Sequence, residues 1–221
     1  AIELWKSTIG ENHPNVALAY NSLGLIYYSQ HLAERALECY NKALAIQLAI
    51  FGEQHSNVAI SYNNIGTIYM EQEKYDQALE YFQKAENIYK SINVKQGNNI
   101  VLIYNNIAEI FSKKGDYDNA MDYFNKALST QIAITGEKHS SVAQVYNNIG
   151  SAYVRQNNFD KALESYNKSL MIYTSLFGDS HPDIVTVYDN VATLYNDNGD
   201  YDKAVEQHEK ALVAQLDLLG E

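Results

Sequence analysis

The stretch HSNVAISYNNIG, residues 55–66, returns almost unchanged as HSSVAQVYNNIG at residues 139–150 and as HPNVALAYNSLG at residues 13–24. The copies start at positions 13, 55 and 139, so the second interval is twice the first. A fixed period of this size is typical of repeat arrays, in which each repeat packs mainly on its neighbours. The sequence therefore predicts a stack of similar repeats.

The period divides almost the whole chain into five segments. The predicted repeats are 13–54, 55–96, 97–138, 139–180 and 181–221. Their shared aromatic column consists of Tyr20, Tyr62, Tyr104, Tyr146 and Tyr188. A shared column of small residues consists of Gly24, Gly66, Ala108, Gly150 and Ala192. No other period accounts for these columns.

Both ends of the sequence fall at a boundary between repeats. Residues 1–12 match the end of a second helix, because Gly10-Glu11 aligns with Gly52-Glu53. The chain stops at Gly220-Glu221, at the same boundary. We therefore interpret residues 1–12 as the end of a truncated preceding repeat, and we expect the parent protein to carry further repeats or domains.

Each repeat has the pattern of two helices. Val142, Tyr146 and Ile149 fall on one stripe of a helix with 3.6 residues per turn. Gly115-Asp116 interrupts the pattern between two such stripes, with glycine suited to end a helix and aspartate to cap the next one. Gly136 is predicted to end a second helix. The pattern indicates an all-α chain.

The second helices carry an acidic residue four positions before a lysine in every repeat. These pairs are Glu38 and Lys42, Glu80 and Lys84, Asp122 and Lys126, Glu164 and Lys168, and Glu206 and Lys210. The acidic residue comes first, which is the favourable order for an ion pair within a helix. We interpret these pairs as a solvated outer face.

Composition and charge exclude several classes of protein. Hydrophobic residues make up 46% of the 221 residues, which excludes a disordered chain. The formal net charge of -11 argues against binding to nucleic acid or to an anionic membrane surface. No apolar run approaches the roughly 20 residues of a membrane-spanning helix.

The chain contains one cysteine, Cys39. A disulfide framework is therefore excluded, and a reducing, cytoplasmic location is predicted. The equivalent positions in the other repeats are Tyr81, Tyr123, Ser165 and Gln207. These residues suggest partial exposure of Cys39 and no catalytic role.

Four histidines recur at the start of the repeats. They are His13, His55, His139 and His181. Equivalent positions in stacked helices lie at least about 8–10 Å apart, too far for a shared zinc ion. Pro14 and Pro182 follow two of them and mark a first helical turn, and Ser56 and Ser140 are predicted to cap the same helix ends. We interpret the histidines as structural.

The sequence predicts no catalytic residues, no metal site and no cofactor. The His-Ser pairs at 55–56 and 139–140 repeat without a unique third partner that would activate a nucleophile. A glycine-rich phosphate loop and the HExxH motif are absent from the sequence. An enzyme is therefore not expected.

The repeat columns resemble the tetratricopeptide repeat (TPR), a helix–turn–helix unit. Its first-helix pattern matches Tyr62, Ile65, Gly66 and Tyr69, and its second-helix pattern matches Ala78, Phe82 and Ala85. The usual TPR is a unit of about 34 residues, whereas the longer, 42-residue repeat here resembles that of kinesin light chains. The resemblance implies a right-handed α-solenoid superhelix that binds a protein or peptide partner.

The resemblance also implies that first helices line a concave groove. The matching groove positions are Asn21, Asn63, Asn105, Asn147 and Asp189, then Thr67, Glu109 and Ser151, then Lys113 and Arg155. A ladder of asparagines can bond an extended peptide backbone, because an amide both donates and accepts. This first column is equally compatible with bonds between repeats. The neighbouring column of Asn64, Asn106, Asn148 and Asn190 is expected to bond mainly between repeats.

Lys113 and Arg155 are the basic residues among these groove positions. They suggest that the third and fourth repeats favour an acidic stretch of a partner, although ordinary surface charges are an equally good interpretation. The main functional prediction is a protein-interaction scaffold resembling the cargo-binding part of kinesin light chains. The alternatives are a sensor or regulatory region attached to a catalytic domain, and a structural spacer.

Overall fold

The computed structural model describes residues 2–92 and 97–219, and these residues form α-helices and no strands. The short first helix, α1, is Ile2–Ile9. The helices that follow it are α2 Pro14–Ser29, α3 Ala33–Phe51, α4 Ser56–Glu71, α5 Tyr75–Ser91, α6 Asn98–Lys113, α7 Tyr117–Thr135, α8 Ser140–Arg155, α9 Phe159–Phe177, α10 Pro182–Asp197 and α11 Tyr201–Leu219. The predicted all-α fold is confirmed.

The helices belong to two compact units, Ala1–Asn106 and Ile107–Glu221, which divide within α6. In the N-terminal unit, α2 packs on α3, α4 on α5, and α3 on α4. In the C-terminal unit, α8 packs on α9, α10 on α11, α9 on α10, and α8 directly on α10. Each unit is thus built from packed helix pairs.

The turn between the two helices of a pair has the same conformation in all five pairs. Its central residue has a positive φ in every case: His31, Glu73, Gly115, Asn157 and Gly199. The next backbone N–H then bonds the carbonyl oxygen five residues back, as from Asp116 N to Phe111 O at 2.9 Å. The predicted helix stop at Gly115 is confirmed, and Asp116 caps the following helix through Asn119 N.

The recurring histidines are helix N-caps. Nδ1 of His55 accepts the N–H of Asn57 at 3.1 Å, and Nδ1 of His139 accepts the N–H of Ser141 at 3.2 Å. His13 and His181 do the same at α2 and α10. The prediction that Ser56 and Ser140 cap these helices is wrong. Each serine is already the first helical residue, whereas the preceding histidine has the extended backbone that a cap requires.

We expect the cap at His139 to contribute about 1 kcal/mol, within the range of about 0.5–2 kcal/mol for side-chain caps. His139→Ala should therefore lower the free energy of unfolding by that amount, because the N–H of Ser141 loses its acceptor. His139→Asn should restore most of the loss, because the asparagine oxygen can accept the same bond. Urea denaturation checks both values, and equal losses in the two variants would contradict the capping role.

The column of small residues faces an aromatic ring from the second helix of the same pair. A Cβ atom added to Gly66 would lie 2.8 Å from Cε1 of Phe82, and one added to Gly150 would lie 2.6 Å from Cδ1 of Tyr166. Gly24 has the same relation to Tyr40. A glycine inside a helix costs about 1 kcal/mol relative to alanine. Here the absent side chain makes room for a buried ring.

The five predicted ion pairs of the second helices are confirmed. The lysine Nζ to carboxylate distances are 2.5 Å for Lys42–Glu38, 2.6 Å for Lys84–Glu80, 2.6 Å for Lys126–Asp122, 2.6 Å for Lys168–Glu164 and 2.7 Å for Lys210–Glu206. Lys84 Nζ also lies 5.8 Å from the ring centroid of Tyr62, and Lys168 Nζ 5.6 Å from that of Tyr146. Lys84 and Lys168 therefore each bridge an exposed carboxylate and an aromatic ring of the first helix.

The predicted partial exposure of Cys39 is wrong. Its side chain is 6% exposed and packs with Val16, Tyr20 and Ala43 between α2 and α3. Tyr81 at the equivalent position of the next pair remains partly exposed. Neighbouring side chains cover the small thiol of Cys39, whereas the larger phenol ring of Tyr81 extends beyond such cover. Burial raises the pKa of the Cys39 thiol, which opposes its ionisation.

Three tyrosines predict a loss of stability at alkaline pH. Burial raises the pKa values of Tyr28, Tyr40 and Tyr173 from 10.0 to about 12. Because these pKa values are higher in the folded chain, the stability they contribute is complete below pH 10 and is lost as the pH rises through about 12. Circular dichroism and tyrosinate absorbance should change together in this range. Full ionisation of all tyrosines with unchanged helicity would contradict the expectation.

Candidate functional site

In the C-terminal unit, α8 presents a row of polar side chains along one face. Asn147, Ser151 and Arg155 are spaced four residues apart and therefore lie one helical turn from each other. On α10, which packs against α8, Asp189 and Thr193 occupy the equivalent positions. We name these five residues the α8–α10 surface. Asn147, Ser151, Arg155 and Asp189 were predicted from the sequence as positions that face a groove.

Asparagines of the two neighbouring columns form hydrogen bonds with each other, from the first helix of one repeat to the first helix of the next. Nδ2 of Asn190 donates to Oδ1 of Asn147 at 2.9 Å in the C-terminal unit. Nδ2 of Asn106 donates to Oδ1 of Asn63 at 3.2 Å in the N-terminal unit. The expected bonds between repeats are thus present for Asn106 and Asn190, and the first column supplies their acceptors.

These bonds occupy the side-chain oxygens of Asn63 and Asn147 and leave their Nδ2 atoms as donors. Among residues 2–92 and 97–219, no acceptor bonds Nδ2 of Asn147 or of Asn63. Asn105 differs, because its Nδ2 donates to the carbonyl oxygen of Val101 in its own helix. The side-chain oxygens of Asn63 and Asn147 already accept a hydrogen bond, so the Nδ2 atom of each is suited to donate to a carbonyl or carboxylate of a ligand.

Asn21 belongs to a polar network that was not predicted from the sequence. The Ser61 hydroxyl donates to Oε1 of Gln47 at 2.7 Å, and its Oγ also lies 3.3 Å from Oδ1 of Asn21. Ser61 and Gln47 are buried, at 0% and 4% exposure. The available signal was that Ser61 interrupts a column otherwise filled by Ala19, Ile103, Val145 and Val187.

The two basic groove positions have different environments. Nζ of Lys113 lies 3.2 Å from Oε1 of Glu109 on the same helix, so these two groove residues largely neutralise each other. Arg155 is exposed, and in the part of the chain that the structure describes no carboxylate lies within 4.0 Å of its guanidinium. The hydroxyl of Tyr117 bonds only the Arg155 backbone oxygen, at 2.6 Å. Arg155 is therefore the available cation of this pair.

The remaining groove positions have partners within their own helix pair. Oγ of Ser151 and the hydroxyl of Tyr166 are 3.1 Å apart, and the raised pKa of Tyr166, due mainly to burial, favours its neutral form. Oδ1 of Asp189 lies 3.1 Å from Nδ1 of His208. Thr67 donates to the backbone oxygen of Asn63 at 3.0 Å. These contacts restrain the side chains and occupy part of their bonding capacity.

At the N-terminal unit, Tyr28 of α2 and Glu71 of α4 are joined across neighbouring first helices. The Tyr28 hydroxyl donates to Oε1 of Glu71. Burial and this bond together raise the pKa of Tyr28 to about 12. The Tyr28 hydroxyl is therefore occupied within the chain.

The recurring histidines do not form a metal site in the described part of the chain. Within residues 2–92 and 97–219, no group of three or more His, Cys, Asp or Glu side chains is placed to hold a metal ion. The Nδ1 atoms of these histidines are occupied as helix caps.

None of the described helices is both long and apolar enough to cross a bilayer.

Comparison with known families identifies the repeat. The tetratricopeptide repeat model matches residues 1–49, 18–91, 99–175 and 158–214. The chain belongs to the tetratricopeptide repeat family. A TPR fold of this kind is that of a protein–protein interaction scaffold and is typically non-catalytic. No curated protein sequence matches the chain significantly.

Solved TPR structures share the fold at low sequence identity. BtubC (BKLC) from P. vanneervenii is 23% identical with a TM-score of 0.82, and the match covers 99% of this chain and 87% of that one. A putative kinesin light chain with nearly identical TPR-like repeats, from Podosopora anserina, is 17% identical with a TM-score of 0.76, covering 93% and 98%. A Rap protein complexed with competence and sporulation factor is 18% identical with a TM-score of 0.74, covering 88% and 52%.

Proposed function

We propose that this TPR chain binds a peptide segment of a partner protein on the α8–α10 surface, with an acidic side chain of the peptide at Arg155. The observation that carries this proposal is the pair of available donors on one face of α8, Nδ2 of Asn147 and the guanidinium of Arg155. Both groups favour oxygen acceptors. A guanidinium also forms paired hydrogen bonds with a carboxylate.

The spacing of the two donors suits a short extended segment. Asn147 and Arg155 are eight residues apart, a rise of about 12 Å along α8. Three to four residues of an extended peptide span this distance at about 3.3 Å per residue. A backbone carbonyl at Asn147 and a carboxylate at Arg155 thus satisfy both donors at once.

The charges of α10 restrict the rest of the peptide. Asp189 and Asp197 carry carboxylates on the neighbouring helix, although Asp189 is 3.1 Å from the His208 ring nitrogen. A long acidic run would meet these carboxylates and be repelled. We therefore expect a local acidic residue or pair at Arg155, with neutral or basic residues over α10.

Fluorescence anisotropy with synthetic peptides tests this assignment. Peptides that contain a Glu pair in a neutral sequence should bind the wild-type chain more tightly than the same peptides with Gln. Arg155→Ala should weaken binding of the Glu peptides about tenfold, equivalent to about 1.4 kcal/mol, and Arg155→Lys should recover part of the loss.

Arg35→Ala is the matched control, because Arg35 is the only other arginine and lies on a second helix in the N-terminal unit. Its guanidinium is 5.7 Å from the Tyr27 ring centroid. This variant should bind the peptides like the wild type. Equal weakening in both variants, or none in Arg155→Ala, would show that Arg155 does not contact the ligand.

At the level of the whole protein, we propose a binding scaffold of five repeats with a period of 42 residues, 13–54 to 181–221, in the manner of a kinesin-light-chain-like adaptor. The low-identity similarity to a putative kinesin light chain supports the comparison of fold, and the cargo role is our extension of it. A reducing cytoplasmic location agrees with the free thiol of Cys39. Affinity capture from the source cell lysate with wild type and Arg155→Ala would name the partner.

A sensor or regulatory region of a larger signalling protein is the second candidate. It is favoured by the similarity in fold to a Rap protein complexed with competence and sporulation factor. The parent sequence discriminates between the two candidates. A heptad coiled coil before the repeats favours the adaptor, whereas an NTPase or kinase domain favours the regulator.

A further inference from the structure

Two clefts open at equivalent positions of neighbouring helix pairs in the C-terminal unit. The α9 cleft has a volume of about 480 Å³ and includes Val142, Tyr146 and Met171. The α11 cleft has a volume of about 450 Å³ and includes Tyr188 and Val213. Tyr188 and Val213 follow Tyr146 and Met171 by one period of the repeat. The same packing of a first helix on a second helix therefore produces both clefts.

The clefts lie on a different side of the helices from the α8–α10 surface. Each residue advances about 100° around an α-helix. Tyr146 is then about 140°, and Val142 about 180°, away from Ser151 around α8. A ligand in the clefts would leave the α8–α10 surface accessible.

Both clefts carry a large apolar side chain that is open to solvent. Met171 is 69% exposed and Val213 is 58% exposed. The equivalent residues of the first three repeats are small or polar: Ala45, Asn87 and Ser129. Covering exposed apolar surface is favourable by about 25 cal/mol per Å². At this position of the repeat, large exposed apolar side chains occur only in the last two repeats, and they mark the clefts as a place for contact with a partner.

The α11 cleft adds a negative charge that is specific to the last helix. Glu209 and Asp217 lie one turn to either side of Val213. At the position of Glu209 the other repeats have Asn41, Gln83, Asn125 and Asn167, and at that of Asp217 they have Ala49, Ser91, Ala133 and Ser175. Lys210 pairs with Glu206 at 2.7 Å. In the described ranges, no Lys or Arg lies within ion-pair distance of Glu209 or Asp217.

We propose that the two clefts form a second docking surface, which takes a partner peptide with a large apolar residue in the α9 cleft and arginine or lysine in the α11 cleft. The Met171 and Ile172 side chains supply the apolar contact, and Glu209 and Asp217 select the basic residue. Because α8 and α10 are in direct contact, the step between the clefts is about 10 Å, or about three extended residues. Together with the α8–α10 surface, this arrangement allows the scaffold to hold two partner segments at once.

The test uses labelled synthetic peptides in which a Phe or Leu precedes a pair of arginines by about two to five Gly or Ser residues, a range that brackets the step of about 10 Å. We expect the full chain to bind the best of these peptides at least about tenfold more tightly than versions with Glu for Arg or Ser for Phe. Met171→Glu and Asp217→Lys should each weaken binding about tenfold. Asp217→Lys should in turn gain affinity for the Glu peptide.

Leu18→Glu is the matched control for Met171→Glu, because Leu18 is a similarly exposed apolar residue, at 63%, on α2. It should bind all peptides like the wild type. The proposal is overturned if the Arg and Glu peptides bind equally, or if Met171→Glu has no more effect than Leu18→Glu. It is also overturned if sedimentation shows a dimer that Met171→Glu dissociates, because a second copy would then occupy the clefts.

Discussion

Replacing Phe82 by alanine should lower the free energy of unfolding by about 3–5 kcal/mol, the largest effect we expect from a single substitution. Phe82 is 0% exposed, and its ring packs on the side-chain-free surface of Gly66. Removing the ring leaves a cavity that the two helices close only in part. The measurement is urea denaturation followed by circular dichroism.

Leu18→Ala is the control for this loss, because Leu18 lies in the same unit and is 63% exposed. Surface substitutions of this kind change the free energy of unfolding by about 0.5 kcal/mol or less. A similar loss in Phe82→Ala and Leu18→Ala would contradict the packing described for α4 and α5.

Gly150→Val should lower the free energy of unfolding by about 2–3 kcal/mol, near the upper end of the range for overpacked cores. Even a Cβ atom at this position would lie 2.6 Å from the Tyr166 ring, which is 2% exposed. Valine and glycine are both poor helix formers, so little helix propensity is regained. The ring and α8 must therefore move apart.

Ala192→Val provides the comparison in the next helix pair. The residue that corresponds to Tyr166 is His208, which is exposed and can turn aside. We expect Ala192→Val to cost less than half as much as Gly150→Val in the same denaturation experiment. A larger loss of unfolding free energy in Ala192→Val than in Gly150→Val would contradict our explanation of the column of small residues, which is that these residues make room for the aromatic ring of the second helix.

Helix positions could be predicted from the sequence because they depend on local signals that recur in every repeat. The stop at Gly115 and the recurring acid–lysine pairs involve residues within one or two turns of each other. The histidine positions were also predicted correctly as helix starts. Their capping bond was assigned to Ser56 and Ser140, because the sequence does not show which residue has the extended backbone.

Side-chain partners in neighbouring helices could not be predicted in the same way. A repeat period shows which residues are equivalent, but the rotation of each helix decides which atoms meet. That rotation decides whether the Asn190 amide can donate to Asn147, and it also decides whether Cys39 is buried. The pair between Lys113 and Glu109, by contrast, is predictable from their spacing of four residues on one helix.

The most direct test of the proposed function is photo-crosslinking of a Glu-containing peptide to the chain. A photoreactive benzoyl-phenylalanine replaces either Thr193, which is exposed on the α8–α10 surface, or Ser175, which is exposed beside the α9 cleft. We predict crosslinks from position 193 that are strongly reduced by Arg155→Ala. Crosslinks from position 175 but not from position 193 would place the acidic peptide elsewhere and contradict its binding at Arg155.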